Sequence, residues 1–207
     1  MNGRGVCLFM RIAEGNQEFR VDIYMRAAYI YMMSNLDNVF GAVALGISDQ
    51  IVEVIQAETD LSAVEAATLV QVHFRPNETI KSLAAKLRLS HPGAVRVVDR
   101  LRSRGYIGRS PGQDKRQALL VLTDKGERSS KQVSEARARV LKTVLAALTD
   151  EDRDVLTPIL SRLIRGAVRD KVDAYAHCRF CDTDLCYSKN CPIESFARDR
   201  HFSDFPA

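Results

Sequence analysis

The chain has 207 residues, 46% of them hydrophobic, with 30 basic and 26 acidic side chains for a formal charge of +4. That length and apolar share fit one sizeable domain or two small ones and exclude a chain disordered throughout. The strongly apolar runs, such as VCLFM and AAYIYMM, fall short of the ~18 to 20 residues that span a bilayer, and the run after Met1 is too short for a secretory signal, so no membrane partner is expected and the chain reads as cytoplasmic.

Residues 1–34 show no clear periodicity and read as an N-terminal extension, or as sequence ahead of a downstream start at Met25, Met32 or Met33. From Leu36 the apolar positions Val39, Phe40, Val43, Ile47, Ile51, Val54 and Ile55 recur near every 3.6 residues and predict a long amphipathic helix. Ser62 followed by Glu65 is a capping box, so a second helix is expected to run to about Phe74, where Arg75-Pro76 ends it. Thr79 can cap a third helix with Ile80, Leu83, Ala84 and Leu87 inward. Ser90 can cap a fourth with Ala94, Val97, Val98 and Leu101 inward, stopped by Gly105. YIGRS and QALLVLT then flank the turn-rich PGQDKR and read as a hairpin. Helical spacing resumes from about Thr123 to Leu148. Thr149 and the acidic DED begin a last helix, expected to reach about Tyr175 and to kink or restart at Pro158 with Thr157 as its cap.

Charge is concentrated in one part of this series. Between Asn77 and Arg116 lie ten basic and three acidic residues, a net of +7 that leaves −3 for the rest of the chain. A basic segment in an otherwise acidic chain suggests a polyanionic partner, the alternative being a solvated helical face. Two short helices at a tight turn, followed by a basic hairpin, form the winged helix-turn-helix arrangement, in which a helix enters the major groove of double-stranded DNA and the wing meets phosphates or the minor groove. The expected fold is therefore mainly α with a small β-hairpin wing, an α+β winged helix-turn-helix with a helical dimerisation region. On the fourth helix and the hairpin, the basic residues Arg100, Arg109 and Lys115 are candidate DNA contacts.

The stretch IKSLAAKLRLSHPGAVRVVDRLRSRGYIGRSPGQDKRQALLVLTDKG, residues 80–126, resembles the multiple-antibiotic-resistance regulator (MarR) family, and helical flanks extend the resemblance over about residues 36–175. The resemblance implies that Arg116 enters the minor groove while Asp114 holds the hairpin, that Arg96 contacts DNA, and that His91 and Val95 lie beside the bases. Many members carry small hydroxyl residues where this chain has Pro92 and Gly93. It also implies a homodimeric, non-enzymatic transcription regulator with a small-molecule effector as a candidate ligand. The domains expected are an extension over 1–34, a dimerisation helix over 35–60, the winged helix over 61–122, C-terminal dimerisation helices over 123–176 and a cysteine-rich tail over 177–207.

Cys178, Cys181, Cys186 and Cys191 supply four soft ligands in a short span, enough for a tetrahedral zinc ion or an iron–sulfur cluster. Ending in CRxCD and a later CP is similar to a set of MarR-like regulators. A structural zinc knuckle, a redox- or metal-sensing site and metal-free thiols remain open as readings of it. The competing readings of the whole chain are a metal-dependent redox protein and a protein-interaction adaptor. No glycine-rich phosphate loop or paired catalytic histidines point to an enzyme.

Overall fold

The structure, a computed structural model, describes residues 35–111, 118–182 and 191–193. Its elements are α1 (Asn35–Thr59), α2 (Ala63–Phe74), α3 (Ile80–Lys86), α4 (His91–Ser103), β1 (Ile107–Pro111), β2 (Ala118–Leu122), α5 (Asp124–Leu145), α6 (Asp150–Ala167) and α7 (Lys171–His177). This is the expected mainly helical fold with one antiparallel hairpin, in which Ile107 pairs with Leu122 and Arg109 with Leu120. The chain divides into two units, one up to Leu45 and one from Gly46. The described part of the first is the start of α1, where Leu36, Val39, Phe40, Val43 and Leu45 are exposed.

Side-chain caps set the helix boundaries. Ser62 and Glu65 form the capping box of α2, with Ser62 N donating to Glu65 Oε2 at 2.9 Å. Thr79, Ser90 and Thr123 accept from the amides of Ser82, Gly93 and Gly126 to start α3, α4 and α5. Thr149 and Asp152 form a second capping box at α6. Helix α4 ends in a Schellman turn in which Tyr106 N reaches Leu101 O at 2.9 Å and Gly105 takes φ +76°, a conformation that glycine reaches without strain.

Within the second unit the core gathers around α2. Leu69, Val70 and Val72 pack with Ile55 of α1, Leu83 of α3, Val98 and Leu101 of α4, Leu120 of β2 and Val133 of α5. The hairpin is pinned from outside as well, because Glu78 O accepts from Leu120 N at 2.9 Å. The Glu78 carboxylate also pairs with Lys86, whose side chain is 4% exposed. Burial holds the Lys86 ammonium below its ordinary value, against the pull of Glu78.

Three expectations change. Helix α6 passes through Pro158 without restarting, and Thr157 is not a cap: its hydroxyl donates to Arg153 O at 2.8 Å. Pro158 is exposed, so solvent can serve the carbonyl that proline leaves without a donor. Second, the last helix does not reach Tyr175 unbroken. It ends at Ala167, and α7 restarts with Asp170 accepting from Asp173 N at 2.8 Å. Third, α1 is by length and composition apolar enough to cross a membrane, with a mean hydropathy of 1.4 over an 18-residue window. Counting unbroken runs missed this because Gly, Ser and Asp interrupt its apolar stretches. The core helix of a water-soluble protein passes the same test, and the C-terminal part of α1 packs Ile51, Val54 and Ile55 on the core.

Gly126 explains the LTDKG motif. A Cβ there would lie 2.1 Å from Tyr106 O, because Thr123 ties the start of α5 to the end of α4 by bonds to Gly105 O and Tyr106 O. Gly126→Ala should therefore lower stability by roughly 1 to 3 kcal/mol, the usual cost of overpacking, read as a fall in the urea midpoint.

Candidate nucleic-acid interface

Helix α4 presents one face to the core and one outward. Ala94, Val98 and Leu101 are buried, Val97 packs partly against the core, Val95 is half-buried, and His91, Arg96 and Arg100 are exposed. The first turn of α4 is open: Pro92 is exposed near its start, and Ser90 Oγ accepts from Gly93 N at 3.2 Å. A Cβ on Gly93 would stand 3.1 Å from that oxygen, so a larger residue here requires the Ser90 side chain to give by a few tenths of an ångström.

The basic residues divide by their partners. Among the described residues, Arg96 has no ion-pair partner within 4.0 Å. Arg104 is drawn inward, donating to Asp60 O at 3.0 Å and lying over the Tyr106 ring. Asp99 is shared by Arg102 at 3.3 Å and Arg109 at 3.5 Å, so strand β1 is tied electrostatically to α4 and two cations are oriented on one carboxylate. These residues line an open groove between α4 and β1. Arg100 stands 3.8 Å from Glu65. Burial works to raise the Glu65 carboxyl, but the bonds from Ser62 and the charges of Arg104 and Arg100 outweigh it and hold the group below its ordinary value. Sequence reasoning found Glu65 as a cap and missed this second role, which joins residues distant in the chain. Asp114, Lys115 and Arg116 lie outside the described residues.

The tail cysteines are partly brought together. Cys178 closes α7, and Cys181 N donates back to Cys178 O at 2.9 Å. A hydrogen bond with Cys178 brings the Cys181 thiol down to about 6; Arg137, at 3.8 Å, and Arg75 assist against burial and Asp182. Cys178 and Cys191 pack against Val168, Ala174 and Ile193. Among the described residues no disulfide joins these three cysteines, and no group of three candidate ligands is close enough to hold a metal. Cys186 lies outside them.

A capped helix pair, with its second helix exposed and cationic and a hairpin tied to it, defines a winged-helix protein. Residues 59–117 match the model of the MarR family. The chain is 30% identical over 96 residues to the HTH-type transcriptional regulator BilQ of Clostridium symbiosum, covering 46% of this chain and 67% of that protein. It is 26% identical over 87 residues to the uncharacterized HTH-type transcriptional regulator YwoH of Bacillus subtilis, covering 42% of this chain and 64% of that one. The chain thus spans about two thirds of the length of these relatives. It superposes on MepR, a transcription regulator of the Staphylococcus aureus multidrug efflux pump MepA, with a TM-score of 0.57 at 14% identity over 65% of this chain and 98% of MepR. The chain belongs to the MarR family.

The Glu65 carboxylate carries a pH prediction. Its folded value lies below the ordinary 4.5, so its stabilising contribution is complete above about pH 4.5 and lost as pH falls through the folded value. In Glu65→Gln that part of the acid dependence should vanish, seen as a smaller shift of the urea midpoint between about pH 7 and pH 3 than in the parent.

Proposed function

We propose that the protein is a transcription regulator that binds double-stranded DNA as a homodimer through α4 and the hairpin. The observation that carries this is Arg96, exposed on α4 three residues before Asp99 of the groove that holds Arg102 and Arg109. His91 and Val95 would face the bases with it, Arg100, Arg109 and Lys115 the phosphates, and Arg116 the minor groove with Asp114 holding the wing. The apolar surface left exposed on α6, at Val155, Leu160 and Leu163, and at the start of α1 supports association through these helices. A cytoplasmic, non-enzymatic role fits this reading, and a small-molecule effector would act on the same dimer.

Cys178, Cys181, Cys186 and Cys191 would hold zinc or, in the alternative, an iron–sulfur cluster, whose occupancy would modulate DNA binding. The donor chemistry fits: the Cys178 and Cys181 thiols already share a hydrogen bond, and Cys178 and Cys191 pack against one apolar cluster. A metal bound there would fix the end of α7, and its loss through oxidation would release it.

Fluorescence anisotropy on duplexes enriched from a random pool tests the DNA contacts. Arg96→Ala and Arg116→Ala should each weaken binding by roughly 1 to 3 kcal/mol if a base contact is lost, with the thermal midpoint and the dimer by light scattering unchanged. Unchanged affinity in both removes the assignment. For the tail, anaerobically purified protein should carry near one equivalent of zinc or one cluster per chain, abolished in Cys178→Ser and Cys191→Ser. Protein whose DNA affinity does not respond to metal removal has a structural site.

A further inference from the structure

The turn between α3 and α4 is closed by a Schellman arrangement in which Leu89 N reaches Ala84 O at 2.8 Å and Arg88 N reaches Ala85 O at 3.1 Å. The residue at its left-handed position is Arg88, at φ 53°. Glycine occupies the same position at the end of α4, where no side chain is needed. A long cationic side chain kept on a backbone that favours glycine implies a use for the side chain. That use is visible: Arg88 pairs with Asp173 of α7, a carboxylate whose side chain is 6% exposed and which also accepts from Arg169 Nε at 2.7 Å.

The contact is one point of a longer attachment. Two residues on, Arg75 and Lys86 each lie over the Tyr175 ring, 4.7 Å from its centroid. Beyond α7, Gln71 of α2 donates to Cys178 O at 3.4 Å and Arg179 O at 3.3 Å, and Phe180 enters the core. Helix α7 is therefore strapped across α3 and the turn that aims α4, and it runs directly into the first tail cysteine.

We infer that Asp173 is a positioning residue for DNA recognition, gripping the turn at Arg88 and so fixing the direction of α4 from the C-terminal tail. The inference rests on the DNA-binding reading above. Bonded foremost to Arg169, the Asp173 carboxyl is held at about 2, so it is charged under any ordinary assay.

Simple electrostatics and positioning predict opposite results for Asp173→Asn. Removing a negative charge should strengthen binding to a polyanion if Asp173 acts only through the protein's field. Positioning requires that it weaken binding.

The experiment measures anisotropy on a duplex enriched by the wild-type protein from a random-sequence pool. The proteins are wild type, Asp173→Asn, Arg88→Gly and the double variant; glycine suits the left-handed backbone, so Arg88→Gly leaves the turn able to form. Each single variant should bind about five- to tenfold more weakly. The double variant should bind no more weakly than Asp173→Asn alone, because Arg88→Gly removes a coupling that Asp173→Asn has already removed. The salt dependence should be unchanged, since no phosphate contact is lost. Asp173→Asn that binds as well as wild type or tighter overturns the inference. So do losses that add in full in the double variant, or a reduced salt slope in Arg88→Gly, which would make Arg88 a direct phosphate contact. A wild-type protein that enriches no duplex overturns the regulator reading itself and this inference with it.

Discussion

Helix α2 is buried along its length from Glu65 to Val72, polar side chains included, and every other part of the second unit is arranged to make that burial tolerable. A buried polar atom without a partner costs about 1 to 3 kcal/mol, so each polar residue of α2 must find one. Thr68 donates back to Val64 O at 2.8 Å, a local solution. Glu65 and Gln71 find only part of what they need close by. Glu65 Oε2 accepts from Ser62 before α2, while Oε1 accepts no hydrogen bond and is met only by the charges of Arg104 at 3.6 Å and Arg100 at 3.8 Å; Gln71 bonds Arg75 and the backbone at Cys178 and Arg179. The apolar residues of α2 demand a core, and its polar residues decide which distant segments close it.

The same logic sorts the positive charge. Arg104 serves Asp60, Glu65 and Tyr106, Arg88 serves Asp173, and Lys86 serves Glu78. What remains outward is Arg96 and Arg100 on α4, with Arg102 of α4 and Arg109 of β1 oriented on Asp99. A net charge of +7 over one segment thus overstates what a polyanion can meet. Part of it is internal wiring, and for the remainder the direction of each side chain matters as well as the total charge.

Much of this could be read along the chain because its determinants are local. Ser62, Thr79, Ser90, Thr123 and Thr149 each announce a helix within three residues, and Gly105 announces an end. The break between α6 and α7 was not legible, since Val168 continues the apolar spacing of α6 and only the cap at Asp170 marks the restart. At the candidate interface, helical periodicity separated the buried Val98 from the exposed Arg96, but it could not tell a free arginine from a paired one. Arg88 and Asp173 are 85 positions apart, as Gln71 and Cys178 are 107 apart, and no spacing rule connects them. For the same reason Phe180 looks like part of an appendage in sequence and is a core residue in the fold.

The place of Phe180 bears on how the protein is made. Ribosomes deliver a chain from its N-terminus, and a domain can complete its packing only when its last core residue has emerged. The helix pair and hairpin are translated by Leu122, yet the core beneath them still lacks Val133, Ala136 and Phe180. The nascent reading head is therefore an incomplete body until the tail has left the exit tunnel. A transcript cut short after α6 would yield a chain with its apolar interior open and Gln71 without the carbonyls it serves, an aggregation-prone substrate for chaperones and proteases rather than a smaller regulator.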